Sequence, residues 1–221
     1  MNVTLVSYSR AADHGETHLT DLQQLVAYCA RVSNPDNQAN TLTSEKLIQY
    51  LIDHQHWSPL EMASACLEIE TTRDIARQIL RHRSFAFQEF SQRYADPTKA
   101  LDFEVREARL QDTKNRQNSL KNEDPLLELM WTEYQHRVKE ESLKAYTWAV
   151  DRGVAKEQAR AVLPEGLMGT RLYMAGSIRS WIHYIQVRTK PDVQKEHRDV
   201  AQACADTLTT IFPMIQQFVA K

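Results

Sequence analysis

Apolar and polar positions alternate from Val3 to Tyr8, the period-two signature of a first strand. The period then changes: Leu22, Leu25, Val26 and Cys29 recur at helical spacing within Leu19 to Val32, with Thr17 or Thr20 available as the cap. Asn34-Pro35-Asp36-Asn37 breaks that helix. Thr43 to His54 predicts a second helix, with Leu47, Ile48 and Leu51 inward. Ala63 to Glu70 alternates again through Ala65, Leu67 and Ile69, a second strand. Thr72 to Arg81 predicts a helix, Leu101 to Leu110 a third strand, and polar Lys114 to Asn122 a loop.

Asp124-Pro125 opens a long helix to Val150, with the aspartate as cap and the proline in the first turn. Leu127, Met130, Trp131, Tyr134 and Val138 follow one face of it, and Tyr146, Trp148 and Val150 add apolar positions elsewhere. Ala155 to Leu163 predicts a short helix stopped by Pro164. Thr170 to Arg188 reads as helical, Pro191 interrupts, and Asp192 to Phe212 forms the last helix. Few strands, many helices and no βαβ rhythm predict an α+β fold: a small mixed or antiparallel sheet with several long helices, one domain over residues 1–221.

The chain carries a net charge of −2, which argues against wide electrostatic attraction to nucleic acid or anionic membrane. No apolar run approaches the roughly 18 residues of a membrane span, and the polar start is unlike a signal peptide. The three cysteines, 29, 66 and 204, have no CxxC spacing and sit among apolar neighbours, which predicts buried thiols and a reducing, cytoplasmic compartment. None adjoins His, Lys or Arg, so no cysteine nucleophile is expected. His54-x-His56 lacks ligand partners, and His14 and His18 fall in a polar loop; no metal is expected.

The local charge is distributed differently. Residues 73 to 93 hold five arginines (73, 77, 81, 83, 93) against two acids (74, 89), a balance of +3. Five glycines in the whole chain form neither GxGxxG nor GxxxxGK, so a phosphate must be gripped mainly by guanidinium groups. Gln78 and Arg81, three apart, can address one ligand from one helix face. Arg73 and Arg77 read instead as a solvated face with surface ion pairs. Ser91 could be a nucleophile with His56 or His82 as base, but without a Gly-x-Ser-x-Gly elbow or acidic orienter it reads as a hydrogen-bonding group. The Arg/Phe-rich stretch from 81 to 94 could also stack single-stranded nucleic acid, a reading the overall acidity disfavours.

Several segments together resemble a known family. Arg81-His82-Arg83 precedes Ser91 by seven residues, within Glu89-x-Ser91-x-Arg93-Tyr94. Upstream stand Ala30-Arg31-Val32-Ser33 and His56-Trp57-Ser58-Pro59-Leu60-Glu61. Downstream stand Arg160-x-x-Leu163-Pro164, then Arg179-Ser180-x-x-His183-Tyr184 running to Arg188, then Gln194-x-Glu196-x-Arg198, similar to Ala-Gln-x-Glu-Ile-Arg. In this order, over about residues 25 to 213, they resemble the flavin-dependent thymidylate synthases.

The resemblance implies reductive methylation of dUMP to dTMP, with 5,10-methylenetetrahydrofolate as carbon donor, reduced FAD (FADH2) as hydride donor and NADPH regenerating it. It implies a homotetramer with shared active sites. Carried over position by position, it implies that Gln78, Arg81, Glu89, Phe90, Ser91, Gln92, Arg93, Arg160 and Arg188 bind dUMP. It places Ser33, Ser58, Glu61, Arg81, His82, Arg83, Glu89, Ser177, Ile178, Arg179 and His183 around FAD. The catalytic pair it implies is Arg188, stabilising an N3-deprotonated uracil, and His56, near flavin and folate. His82, flanked by Arg81 and Arg83, is expected to stay neutral. Ala86, Met62 and Ala175-Gly176-Ser177 depart from the family pattern, which keeps open a flavin-inactive, nucleotide-binding paralogue.

Overall fold

The computed structural model describes residues 1–12 and 19–220, so Thr17 and the His14/His18 pair lie outside the described residues. Strand β1 (Asn2–Tyr8) forms where the alternation predicts it. Helices α1 (Leu22–Ala30) and α2 (Ser44–Asp53) follow, separated by a turn at Pro35–Asn37. The α1 cap is Asp21 rather than a threonine: its carboxylate accepts from the Gln24 N–H at 2.8 Å, while Thr20 donates to the Gln24 side chain. A carboxylate suits the positive helix end better than a hydroxyl.

Strand β2 (Ser64–Thr72) runs directly into α3 (Arg73–Ile79), which ends before Arg81 and is shorter than predicted. Next come β3 (Ala86–Glu89), the short α4 (Pro97–Ala100), and a hairpin of β4 (Arg109–Gln111) and β5 (Ser119–Lys121). Helix α5 (Pro125–Asp151) is capped by Asp124, which accepts from Leu126 N–H at 2.9 Å. The chain ends with α6 (Lys156–Ala159), β6 (Gly169–Ser177), α7 (Ile178–Arg188) and α8 (Lys195–Thr209).

The main sheet is wholly antiparallel, in the order β1-β2-β6-β3. Two of its strands differ from the pattern reading. The stretch from Thr170 is not helical until Ile178; its first part is β6, which pairs with β2 and β3 at once. Thr170, Leu172 and Met174 are buried while Arg171 and Tyr173 face out, with Arg171 Nη2 2.6 Å from Glu70 on the facing strand. Leu, Met and Ala are good helix formers, but burial on one pleated face overrides propensity. β3 was not foreseen: its four residues are too few for a visible period.

The predicted strand from Leu101 to Leu110 is also corrected. Phe103 makes a single bridge to Met168, and only Arg109–Gln111 pairs, with a partner inside the predicted loop. Side chains of α5 take the intervening backbone groups instead. Gln135 Oε1 accepts from Arg106 N–H and its Nε2 donates to Arg106 O, both at 2.8 Å, and Glu128 accepts from Ala108 N–H at 2.8 Å.

The core lies on one sheet face. Ala65, Leu67 and Ile69 of β2 meet Leu172 and Met174 of β6, and α7 and α8 cover them with Trp181, Ile182, Ile185, Val200, Cys204 and Leu208. Trp181 satisfies its indole N–H on Ala65 O at 3.1 Å. A smaller cluster, Tyr146, Ala159, Leu163 and Met168, anchors α5. Cys204 is fully buried, Cys29 and Cys66 half-buried, and burial raises all three thiols. Among the described residues no helix is long and apolar enough to cross a membrane.

Candidate active site

Helix α7 has a cavity at each end. At its N-terminus a space of about 710 Å³ is lined by Trp57, Glu61, Ser84, Ser177, Arg179, Ser180, Ile182, His183 and Gln186. At its C-terminus a cleft of about 490 Å³ is lined by Gln78, Gln117, Val187, Arg188, Lys190, Asp192, Val193 and Gln194. Arg179 and His183 are four apart and therefore neighbours on one face. Four of the residues carried over for FAD thus meet: Glu61, Ser177, Arg179 and His183. Arg179 is ion-paired with Glu61, and Ser177 caps α7 by accepting from Ser180 N–H at 3.3 Å.

His82 sits between the two ends. Its Nε2 accepts from Arg188 Nε at 2.8 Å, and its ring meets Tyr184 edge-on at 5.0 Å. Burial, with Arg188 and His183 adding to it, pushes His82 down to about 4. The histidine is neutral as expected, but for a different reason: Arg81 and Arg83 are exposed and contribute nothing to the shift. An imidazole that accepts from a guanidinium must be unprotonated at that nitrogen.

The other positions separate into groups. Gln78 and Arg188 share the C-terminal cleft. Glu89 accepts from Thr170 Oγ1 at 2.9 Å and lies 3.3 Å from Arg73 Nη1. Arg73 is buried, which corrects the solvated-face reading; Arg77 is exposed and ion-paired to Glu165, as that reading holds. Phe90 N–H donates to Arg171 O at 2.9 Å, and Gln92 is buried with Nε2 unpartnered. Arg93 reaches Glu157 of α6 at 3.3 Å, close in sequence to Arg160. Neither Arg93 nor Arg160 lines the Arg188 cleft.

Ser33, Ser58, Arg81, Arg83 and Ser91 are exposed and line neither cavity. Ile178 is buried in the core, and its N–H already donates to Ala63 O at 2.9 Å. His56 lines neither cavity; its ring packs near Tyr50 and His54. The motif arginine Arg31 is structural, bonding Asn40 O and Thr43 Oγ1. Trp57, Ser84, Gln117 and Lys190 line the cavities without having been singled out. No periodic signal marks them, because loops bring them there. Among the described residues no group of His, Cys, Asp and Glu could hold a metal.

The larger cavity fits a flat, anionic cofactor. Trp57 and Ile182 offer apolar wall, while the Arg179, His183 and Ser84 side chains offer donors for phosphate. Comparison with known proteins identifies the family. Residues 16–214 match the family described as Thymidylate synthase complementing protein. The chain is 44% identical over 215 residues, 97% of both chains, to a "Probable flavin-dependent thymidylate synthase" of Paramecium bursaria Chlorella virus 1. It is 50% identical over 191 residues, 86% of both, to a "Flavin-dependent thymidylate synthase" of Synechocystis sp.. The chain belongs to the flavin-dependent thymidylate synthase family. Its α+β fold is also that of the UMP/dUMP methylase PolB from Streptomyces cacaoi, crystallised with 5-Br dUMP: TM-score 0.78, 25% identity, covering 98% of this chain and 93% of that one. In this family member the departure at Gly176 has a packing cause. A Cβ there would stand 2.5 Å from Phe85 Cδ1.

Proposed function

We propose that this chain is a flavin-dependent thymidylate synthase that converts dUMP to dTMP, taking carbon from 5,10-methylenetetrahydrofolate and reducing power from NADPH. The observation that carries this reading is Arg188. Its Nε is held by neutral His82, and the residue lines the cleft that Gln78 also lines. A cation held in place at its Nε stabilises negative charge on a uracil ring without reorganising. None of the three cysteines lines either cavity, and burial pushes their thiols up, away from the reactive thiolate.

Glu61, Ser177, Arg179 and His183 would hold FAD along the N-terminal cavity, which, when reduced, supplies the hydride. Glu89 is oriented by Thr170 and Arg73, so its remaining lone pairs can accept from a ribose hydroxyl. Arg93 and Arg160 are cations for the nucleotide phosphate, with Ser91 two residues before Arg93. Their absence from the Arg188 cleft supports a site shared between copies, in a homotetramer. Half-buried or buried free thiols suit a cytoplasmic setting.

The purified protein is expected to be yellow and to bleach with NADPH. With dUMP and methylenetetrahydrofolate added it is expected to form dTMP. Binding of dUMP without NADPH consumption would replace this reading with that of a flavin-inactive paralogue.

A further inference from the structure

Behind the Gln78 wall of the cleft runs an unbroken line of hydrogen bonds through Glu196, Gln194, Gln78, His197 and Tyr184. Gln194 Nε2 donates to Glu196 Oε2 at 2.9 Å, and Gln78 Nε2 donates to Gln194 Oε1 at 2.7 Å. Gln78 Oε1 lies 3.2 Å from His197 Nδ1, and His197 Nε2 lies 3.2 Å from the Tyr184 hydroxyl. His197 and Tyr184 are fully buried, so water does not substitute for any partner at that end.

The donor and acceptor roles follow from one end. A carboxylate only accepts, so the Gln194 amide must present its nitrogen to Glu196 and its oxygen to Gln78. Gln78 then gives its nitrogen to Gln194 and turns its oxygen inward. That oxygen requires an N–H, which fixes the imidazole proton on Nδ1 and leaves Nε2 to accept from the Tyr184 hydroxyl. Every group has one consistent role.

We propose that His197 is a positioning residue for substrate recognition, holding the Gln78 carboxamide in one of its two possible orientations. This rests on the reading of the cleft as the dUMP site. So held, Gln78 keeps one N–H free for the cleft, and the amide cannot turn over without breaking bonds at both ends.

The test compares variants of the FAD-loaded enzyme in dUMP Kd, dUMP KM and kcat. His197→Ile is expected to raise Kd and KM about 10-fold, the worth of one buried hydrogen bond, with kcat nearly kept. His197→Asn places an amide N–H where Nδ1 stands and cannot reach Tyr184; it is expected to stay within about 3-fold of the parent. His197→Gln reaches Tyr184 rather than Gln78 and is expected to behave like isoleucine, which keeps the test available should isoleucine fail to fold. Adding His197→Ile to Gln78→Ala is expected to cost nothing further. Equal loss in the asparagine and glutamine variants, unchanged dUMP affinity in isoleucine, or full additivity in the double variant would each overturn the proposal. If Gln78→Ala alone leaves dUMP binding intact, the dUMP reading of the cleft fails first, and this inference with it.

Discussion

Arg188 concentrates the chemistry at the scale of single residues. Replacing it with alanine removes the cation that holds His82 and a charge lining the Gln78 cleft. We expect turnover to fall at least ~10²-fold, typical of losing one electrostatic stabiliser, with dUMP Kd moved less. Turnover within a few-fold of the parent would contradict the role. The two histidines behind it make a second prediction. Both are pushed well below the usual 6.5, His82 to about 4 and His197 to about 3, by burial first and Arg188 next. As pH falls below about 6.5 the unfolded chain binds these protons before the folded one does. Stability is therefore fully present above that pH and declines in acid, by up to about 1.4 kcal/mol per pH unit for the deeply buried His197 and by less for the half-buried, solvent-screened His82. Urea midpoints measured from pH 7 to 5 should decline, and His197→Asn should flatten the curve; a flat parent curve would sink the idea. At this scale the sequence was readable wherever a motif fixed spacing, as for Arg179, His183 and Arg188. It misplaced Arg73 on a solvated face and was silent on His197, whose parts depend on partners 16 and 119 positions away.

Elements were legible where a cap or a clear period stood alone. Asp124-Pro125 announced α5, and Val3 to Tyr8 announced β1. The error at β6 came from the join: strand and helix abut at Ser177 with no break, and Leu172, Met174 and Ala175 suit a helix locally. Gly176 lies at that join, and its missing side chain admits the Phe85 ring, which packs edge-on against Trp181 at 4.8 Å. Gly176→Ala would force that ring against its neighbours. We expect a loss of about 1–3 kcal/mol, the usual cost of overpacking. Because Ser84 adjoins Phe85 and lines the α7 cavity, FAD retention should weaken as well. Denaturant midpoints and flavin content measure the two effects; a variant unchanged in both would show that the ring can move freely.

The whole molecule leaves its longest element poorly covered. α5 spans 27 residues, roughly 40 Å at 1.5 Å per residue, yet only Gln135, Ser142 and Tyr146 are buried on it. The face predicted from Leu127, Met130, Trp131, Tyr134 and Val138 is exposed along its length. Apolar surface on this scale is what the proposed assembly of copies would cover. The separation of Arg93 and Arg160 from the Arg188 cleft points the same way, since a nucleotide must meet phosphate-binding cations and the ring-binding cation together. Mixing subunits can test both at once. Arg160→Ala and Arg188→Ala proteins should each be nearly inactive. When unfolded together and refolded as mixed assemblies, about a quarter of the sites would pair an intact Arg188 from one copy with an intact Arg160 from another. Activity should therefore reappear in the mixture and in neither variant refolded alone. A mixture as inactive as its components would mean that each chain builds its site from its own residues, and the shared-site assembly would have to be abandoned.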